Sequence, residues 1–205
     1  MLKLRKGCKV PFPEKLTEGY EYSTSCFLAN VNYDKIERLL AHFISIHDEP
    51  LFFILELPSK QDSENEIYPG VAETLHKDVY YIDGCTKEEA LAILSKIAEL
   101  LINDGLCSFG FGAHQTHDEI MVDKYNLVSL YTQNEKEYDG FFEEHEISKV
   151  ENLLTAWDTF TQDSPGESMR IDTDGKSIYD IPGMLKEWGI YFAEQREEQI
   201  NLKQK

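Results

Sequence analysis

The amino-acid sequence predicts an α+β fold, namely a single domain with a mixed or largely antiparallel sheet packed against helices. Strand-like and helix-like stretches alternate along 205 residues, which is enough chain for one substantial core. Hydrophobic residues make up 41% and charged residues 28% of the chain, proportions typical of a globular protein. Two strand-like runs follow each other within residues 106–132 without a helix between them, which favours antiparallel pairing.

The first elements follow from turn residues and periodicity. Residues 1–20 predict an extended lead-in, and residues 197–205 predict a frayed tail. Residues 22–31 are rich in strand-forming side chains and predict one strand. A helix is predicted over residues 33–46 with Asn32 as its N-cap, because apolar residues recur at helical spacing: Ile36, Leu39, Leu40, Phe43 and Ile46.

The middle of the chain continues the alternation. The apolar run 51–57 predicts a buried strand, 59–70 a polar loop and 77–82 another strand. The apolar spacing of residues 87–103 predicts a long helix. A capping-box pair precedes this helix and a glycine suited to a left-handed C-terminal position follows it: Thr86, Glu89 and Gly105.

The last part of the chain predicts strands over residues 106–132, followed by a helical C-terminal third. Residues 106–113 alternate large and small side chains and predict a half-buried strand. Residues 119–132 predict either one long strand or a hairpin that turns near residues 124–126. Two helices are then predicted, from about residue 146 to residue 160 and near residues 182–199.

The charge of the chain restricts its partners. Asp and Glu number 38 against 20 Lys and Arg, which gives a formal net charge of −18. Residues 1–40 carry 7 basic and 5 acidic side chains, a net of +2, so the remaining chain carries −20. Such a field repels nucleic acid and anionic membranes and attracts a basic protein. Acidity for solubility alone is the alternative.

The cysteines and the absence of long apolar runs predict a reduced, cytoplasmic protein. No two of the cysteines have the spacing of a zinc or redox motif. The sequence contains no secretory signal, and its apolar runs fall short of a membrane span. We therefore expect reduced thiols, no cofactor and no membrane contact. The four thiols lie far apart in sequence: Cys8, Cys26, Cys85 and Cys107.

One polar cluster, His114, His117, Asp118 and Glu119, contains residue types that bind metal ions. It lies between two predicted strands and lacks the helical HExxH order that places a general base beside a metal. The sequence assigns it no metal and no catalytic residue. A polar loop that contacts a partner is the interpretation we adopt, and a metal-dependent hydrolase using these four residues is the alternative.

An acidic stretch with embedded aromatic residues predicts the partner-binding surface. Aromatic rings can anchor an interface while surrounding carboxylates steer a basic partner towards it. The alternative is a solvated segment whose aromatic side chains are buried in the core of the protein itself. The candidate partner-binding residues comprise this stretch and the polar cluster: Glu135, Glu137, Tyr138, Asp139, Phe141, Phe142, Glu143, Glu144, Glu146, His114, His117, Asp118 and Glu119.

The chain as a whole resembles the small cytoplasmic immunity proteins of bacterial polymorphic-toxin and contact-dependent-inhibition systems. The resemblance lies in the strand at 51–58, the strand and turn at 80–84, the run 109–112 and the segment 118–120. It implies a protein that binds a cognate toxin domain, often a nuclease, and blocks its active site or substrate path. A self-associating structural or regulatory module is a third possibility.

Overall fold

The structure is a computed structural model and describes residues 1–59 and 74–199. Within these ranges the chain forms ten strands and four α-helices, joined by short 3-10 helices. The strands are β1 (Cys8–Lys9), β2 (Gly19–Ser23), β3 (Cys26–Asn30), β4 (Leu51–Pro58), β5 (Thr74–Cys85), β6 (Ser108–Ala113), β7 (Glu119–Val122), β8 (Leu127–Tyr131), β9 (Glu167–Ser168) and β10 (Tyr191–Gln199). The helices are α1 (Tyr33–Ile46), α2 (Lys87–Asn103), α3 (Lys136–Glu144) and α4 (Ile181–Met184).

Eight of the strands form one sheet in the order β10-β5-β4-β6-β7-β8-β3-β2. Every neighbouring pair in it is antiparallel. The two remaining strands, β1 and β9, pair with each other as a separate ribbon. The predicted α+β fold with a largely antiparallel sheet is therefore confirmed. Within the described part of the chain, no helix combines the length and the apolar character needed to cross a bilayer.

The main core lies between one face of the sheet and the helices. On β4 and β6 the inward side chains alternate with outward ones, as the two-residue period of a strand requires. Phe53 of β4 lies opposite Phe111 of β6, with ring centroids 5.3 Å apart. The apolar stripes of α1 and α2 are buried against this face. Both helices have the predicted bounds, and the capping box at the start of α2 is present.

The outer face of the sheet is also partly apolar. Ile54, Val79 and Met121 form a small buried cluster there. The Phe52 ring lies so close to Gly112 that a Cβ on this glycine would be 2.0 Å from the ring. The prediction of a half-buried strand is therefore wrong for β6, because all six of its residues are buried.

Two hairpins occur where the sequence predicted one strand or left two possibilities open. Residues 22–31 do not form a single strand, because Thr24 and Ser25 take positive φ values of 51° and 64° and reverse the chain between β2 and β3. Two consecutive positive φ values are the requirement of a type I′ hairpin turn. Residues 119–132 form the hairpin of β7 and β8, which turns at Lys124–Asn126 as predicted.

The predicted helical C-terminal third is wrong. Residues 146–160 contain only the short 3-10 helix Ala156–Thr159, and the chain from residue 191 is strand rather than helix. The apolar residues at helical spacing end at Phe192, so no helical stripe extends along residues 193–199. Those residues instead pair with the exposed edge of β5, for example Arg196 with Lys77. Tertiary pairing thus overrides the low strand propensity of a Glu-rich segment.

The two ends of the chain are also more ordered than predicted. The lead-in of residues 1–20 contains β1, a 3-10 helix at Pro13–Lys15 and the beginning of β2. Of the predicted frayed tail, residues 197–199 belong to β10, and residues 200–205 lie outside the described residues. The predicted polar loop lies outside them as well, apart from Ser59.

The expected caps at the ends of α1 and α2 differ from the structure. Asn32 makes no side-chain capping bond to α1, and its Oδ1 accepts instead from the backbone N of Lys3 at 2.8 Å. Gly105 has no positive φ, so it is not a left-handed cap of α2. Gly105 is required for a different reason: a Cβ there would be 2.0 Å from the carbonyl oxygen of Gly7.

The contact of Gly105 with Gly7 joins three distant segments of the chain. Gly7 donates from its N to the Asn103 carbonyl at 2.8 Å, and Met169 donates to the Gly7 carbonyl at 2.8 Å. Gly105 in turn donates to the Met169 carbonyl at 3.0 Å. These bonds attach the lead-in and the β9 segment to the end of α2. The attached segments enclose a second, smaller core: Leu2, Cys8, Leu16, Tyr125 and Ala156.

We predict that Gly105→Ala destabilises the protein by about 1–3 kcal/mol, because the new methyl group has to displace backbone rather than a flexible side chain. Urea unfolding checks this. The matched control is Gly140→Ala, since Gly140 lies within α3 and nothing lies within 4 Å of its added Cβ. This control should be neutral or stabilising by up to about 1 kcal/mol. Equal stability of the two variants would contradict the prediction.

Candidate functional site: the acidic face of α3 and the His47 cluster

Helix α3 carries the aromatic residues of the predicted interface, and all three are buried. Tyr138 is 0%, Phe142 2% and Phe141 8% exposed. Phe142 stacks on Tyr20 of β2 with ring centroids 4.2 Å apart, and it lies 5.4 Å from Phe27 of β3. The prediction that these rings anchor a partner is therefore wrong, and the alternative, that they are buried in the core of the protein itself, is confirmed.

The opposite side of α3 carries one exposed lysine, Lys136, and a set of carboxylates that we call the α3 acidic face. Its side chains are exposed except for the half-buried Glu135. Two members have local partners: Glu135 forms an ion pair with Lys149 at 2.6 Å, and Glu137 accepts from Asn134 at 2.6 Å. The others form no ion pair within the described part of the chain. The face consists of Glu135, Glu137, Asp139, Glu143, Glu144 and Glu146.

The C-terminal end of α3 has a defined backbone geometry. Glu146 takes a left-handed φ of 55° directly after the helix. Its N donates to the Glu143 carbonyl at 3.2 Å, and Ile147 N donates to the Phe142 carbonyl at 2.9 Å. These two bonds are those of a Schellman motif, in which glycine usually occupies the left-handed position. Ile147 is buried behind the turn, so the backbone that carries the carboxylates at this end is held in place.

The polar cluster predicted between two strands is the tight loop that joins β6 and β7. Within it, Ala113 donates to the Asp118 carbonyl at 2.9 Å and His117 donates to the Ala113 carbonyl at 3.0 Å. Residues 114–117 are exposed, whereas Asp118 is buried and Glu119 is half-buried. Burial, together with the negative charge of Glu56, raises the pKa of Glu119.

The four residues of the predicted cluster do not converge on one point. His114 packs against Phe52 at 5.0 Å between ring centroids, with its Nε2 3.5 Å from Asp83. Asp118 points inward to other partners. Residues 1–59 and 74–199 contain one group of three residues whose ligand atoms lie close enough to hold a metal ion. Of the four predicted residues, this group includes only Asp118. The arrangement therefore gives no support to a metal site built from these four residues, on which the alternative of a hydrolase depended.

Asp118 bonds instead to His47, which is not among the predicted site residues. His47 directly follows α1, and its Nδ1 lies 2.8 Å from the Phe43 carbonyl oxygen. Its Nε2 lies 2.9 Å from Asp118 Oδ2, and the Thr132 hydroxyl donates to the same oxygen at 2.7 Å. The side chains of His47 and Asp118 are only 2% and 9% exposed, so this is a buried polar contact.

The geometry of this contact requires a proton between His47 and Asp118. A carbonyl oxygen only accepts, so Nδ1 must carry the hydrogen that it donates to Phe43. A neutral ring would then direct the lone pair of Nε2 at a carboxylate oxygen, which is repulsive. The shared hydrogen lies on either His47 or Asp118, and in both cases a buried imidazole and a buried carboxyl group form one hydrogen bond.

Glu137 of the α3 acidic face completes the His47 cluster, which we define as His47, Asp118 and Glu137. Their ligand atoms all lie within 4.8 Å of one another. A histidine that donates its other ring nitrogen to a carbonyl is oriented as metal-binding histidines are. These are therefore the residues that could hold a cation, which would take the place of the proton between His47 and Asp118. The cluster brings together the two predicted partner-binding segments, the loop of residues 114–119 and α3.

The Tyr138 hydroxyl lies buried beside this cluster. It has no hydrogen-bond partner among the described residues. Burial raises the pKa of Tyr138, and the negative charges of Asp118 and Glu137 raise it further. The hydroxyl is therefore neutral, and it adds a desolvation cost without a compensating bond.

Comparison with known proteins identifies no relative: no protein family, curated protein or solved structure matches the chain.

We predict that His47→Leu destabilises the protein by about 3 kcal/mol, because it leaves the buried Asp118 carboxyl group without its hydrogen-bond partner. Asp118→Asn should cost less than about 1.5 kcal/mol, since an amide can donate to a neutral His47. Urea unfolding of both variants checks this order. Equal destabilisation by the two changes would contradict the prediction.

We predict that Tyr138→Phe stabilises the protein by about 1 kcal/mol, because it removes a buried hydroxyl that lacks a hydrogen bond and keeps the aromatic packing. Thermal and urea unfolding measure the change. Tyr20→Phe is the control, since the hydroxyl of Tyr20 is not such an unpartnered buried group. A loss of stability in Tyr138→Phe would contradict the prediction.

Proposed function

We propose that the protein is an acidic binding module that neutralises a basic protein partner, as an immunity protein neutralises its cognate toxin domain. The observation that carries the proposal is the α3 acidic face. There Asp139, Glu143, Glu144 and Glu146 are exposed and have no cationic neighbour at ion-pair distance within the described residues. Carboxylates without such neighbours project a field that attracts a basic surface and speeds its association.

The proposal is also supported by the rigidity of this face. The helix is held from behind by the buried rings of Tyr138, Phe141 and Phe142, and its end is fixed by the Schellman motif. A surface that is ordered before binding loses little conformational entropy when a partner arrives. The buried aromatic residues thus act as supports of the interface and not as its contacts.

The loop of residues 114–117 extends the proposed surface. Glu137 of α3 lies within 4.8 Å of Asp118, measured between ligand atoms, so the base of this loop adjoins the start of the helix. The exposed His114 and His117 would then contact the partner beside the carboxylates, while Asp118 positions the loop from below. The half-buried Glu119 points to the outer face of the sheet, near Glu56.

The mechanism we propose is competition for a basic surface. A toxin domain that acts on nucleic acid presents cations to the phosphate backbone, and an acidic protein that occupies those cations excludes the substrate. A formal net charge of −18 makes binding of nucleic acid or of an anionic membrane by the protein itself unfavourable. The location that fits this role is the cytoplasm, where the toxin's substrate lies.

We predict that reversing three charges on the α3 acidic face, with Glu143→Lys, Glu144→Lys and Glu146→Lys, weakens partner binding at least ~10-fold. The partner is first captured from native cell lysate with the tagged wild-type chain at about 50 mM salt and is then purified. Dissociation constants are measured by calorimetry at low and high salt. Wild-type affinity should fall as salt rises, because exposed charges are screened.

The matched control is the triple variant Glu14→Lys, Glu99→Lys and Asp163→Lys, at exposed positions away from α3. Both triple variants change the formal net charge by six, from −18 to −12. A local interface predicts that only the α3 variant loses affinity. Equal losses in both variants would show that total charge, and not this face, drives binding. Failure of the wild-type chain to capture any basic protein would contradict the proposal.

A further inference from the structure

A pocket of about 560 Å³ lies at the other edge of the sheet, where β10 and β5 pair. Its wall includes Leu57 and Ser59 at the end of β4 and the turn that precedes α4. The volume is within the range of small-molecule sites. Helix α3 packs against β2 and β3 at the opposite edge, so the pocket is separate from the α3 acidic face.

A β-bulge shapes this pocket. Strand β10 pairs Phe192 with Tyr80 and Glu194 with Val79, so one extra residue is inserted between Phe192 and Glu194. Without the bulge, residues three apart in a strand would face opposite sides of the sheet. With it, Phe192 and Gln195 both line the pocket. Bulges of this kind re-aim side chains and are frequent beside functional sites.

The polar end of the pocket is centred on one carboxylate. Asp78 Oδ1 accepts from Ser59 Oγ at 3.3 Å and from Gln195 Nε2 at 3.1 Å. Gln195 Nε2 also donates to Ser59 Oγ at 3.0 Å. Asp78 Oδ2 accepts no hydrogen bond from the residues that the structure describes. One oxygen is thus fixed by neutral donors, and the other is available to a ligand.

Aromatic rings flank this carboxylate. Tyr80 and Phe192 lie edge to face with centroids 5.7 Å apart, and Phe192 is 54% exposed at the rim of the pocket. The buried Leu57 contributes an apolar wall. Aromatic faces attract cations, and a carboxylate accepts charge-assisted hydrogen bonds from them. The same carboxylate repels carboxylates and phosphates.

We propose that this pocket binds a cationic ammonium or guanidinium group on a short apolar stem. Asp78 Oδ2 accepts the hydrogen bonds of the cation, Ser59 and Gln195 hold Asp78 in place, and Tyr80 and Phe192 contact the cation and its stem. The cation is either a free small molecule or the side chain of a lysine or arginine in a polypeptide. The proposal does not depend on the function proposed for the α3 acidic face.

The test uses N-butylguanidinium as the probe and N-butylurea as its uncharged counterpart of the same shape. Calorimetric titration at about 150 mM salt should give 1:1 binding of the cation with a dissociation constant on the order of 1 mM. The urea should bind at least about ten-fold more weakly. Absence of binding of the cation up to about 10 mM, or equal binding of both compounds, would overturn the proposal.

Variants locate the site. Asp78→Asn keeps an acceptor for Ser59 and Gln195 and removes only the charge, so the fold is retained while binding of the cation falls at least about ten-fold. Phe192→Ala should also weaken it, by about two- to five-fold. Asp163→Asn, an equal charge change at an exposed residue away from the pocket, should leave binding unchanged. An Asp78→Asn variant that binds the cation with the wild-type affinity would overturn the assignment of the site to this pocket.

A second titration distinguishes the two sources of the cation. The probe is the blocked tripeptide Gly-Arg-Gly, compared with N-butylguanidinium. Binding that is at least about ten-fold tighter for the peptide and that requires Asp78 supports a side chain of a polypeptide. If N-butylguanidinium binds as tightly as the peptide or more tightly, and its binding also requires Asp78, the result supports a free small molecule. Peptide binding that does not require Asp78 would count against the pocket.

Discussion

The acidic face of α3 is directed to solvent because the other side of the helix is committed to the core. Tyr138 and Phe142 pack against the β2–β3 hairpin and Phe141 packs against His42 of α1, which leaves the helix one orientation. The carboxylates before, between and after these rings in sequence are therefore directed towards solvent. The same packing places Glu137 next to Asp118 and His47, so the start of the helix is tied to the end of α1.

The carboxylates of this protein occur in two electrostatic environments, either paired with cations or exposed without such partners. On the outer face of the sheet, Glu56 is paired with Lys77 at 3.2 Å and with Arg196 at 3.1 Å, and its side chain is only 13% exposed. On α3, by contrast, Asp139, Glu143 and Glu144 form no such pair within the described residues. A carboxylate in a network of cations has little long-range field, whereas unpaired exposed carboxylates act at a distance. This difference makes α3 the stronger candidate for recognition of a basic partner.

The elements that were predicted correctly are those whose own residues carry the full apolar pattern of a helix or a strand. Helices α1 and α2 have apolar stripes along their full length, and β4 is an apolar run bounded by Pro50 and Pro58. Strand β10 could not be predicted in this way, because a Glu-rich segment becomes a strand only through pairing with β5. Helix α3 was missed since its nine residues contain only three that are buried.

The candidate site was predicted in part. The acidic residues of α3 and the loop of residues 114–119 were both identified from composition. The three aromatic residues of α3 were included among the candidate contacts, with burial in the core as the alternative, and they are buried. His47 was missed because its partner Asp118 lies 71 residues away in sequence, and a histidine at the end of a helix has many possible roles. The pocket around Asp78 depends on a β-bulge in β10, which no local pattern indicates.

The most direct test of the central claim, that α3 recognises a basic partner, is hydrogen–deuterium exchange of the chain with and without its purified partner. Recognition by the α3 acidic face predicts slower exchange in residues 135–147 and 114–119 of the complex, and unchanged exchange in β10. Slower exchange confined to the sheet or to the β10 edge, with α3 unaffected, would contradict the claim and move the interface to another surface.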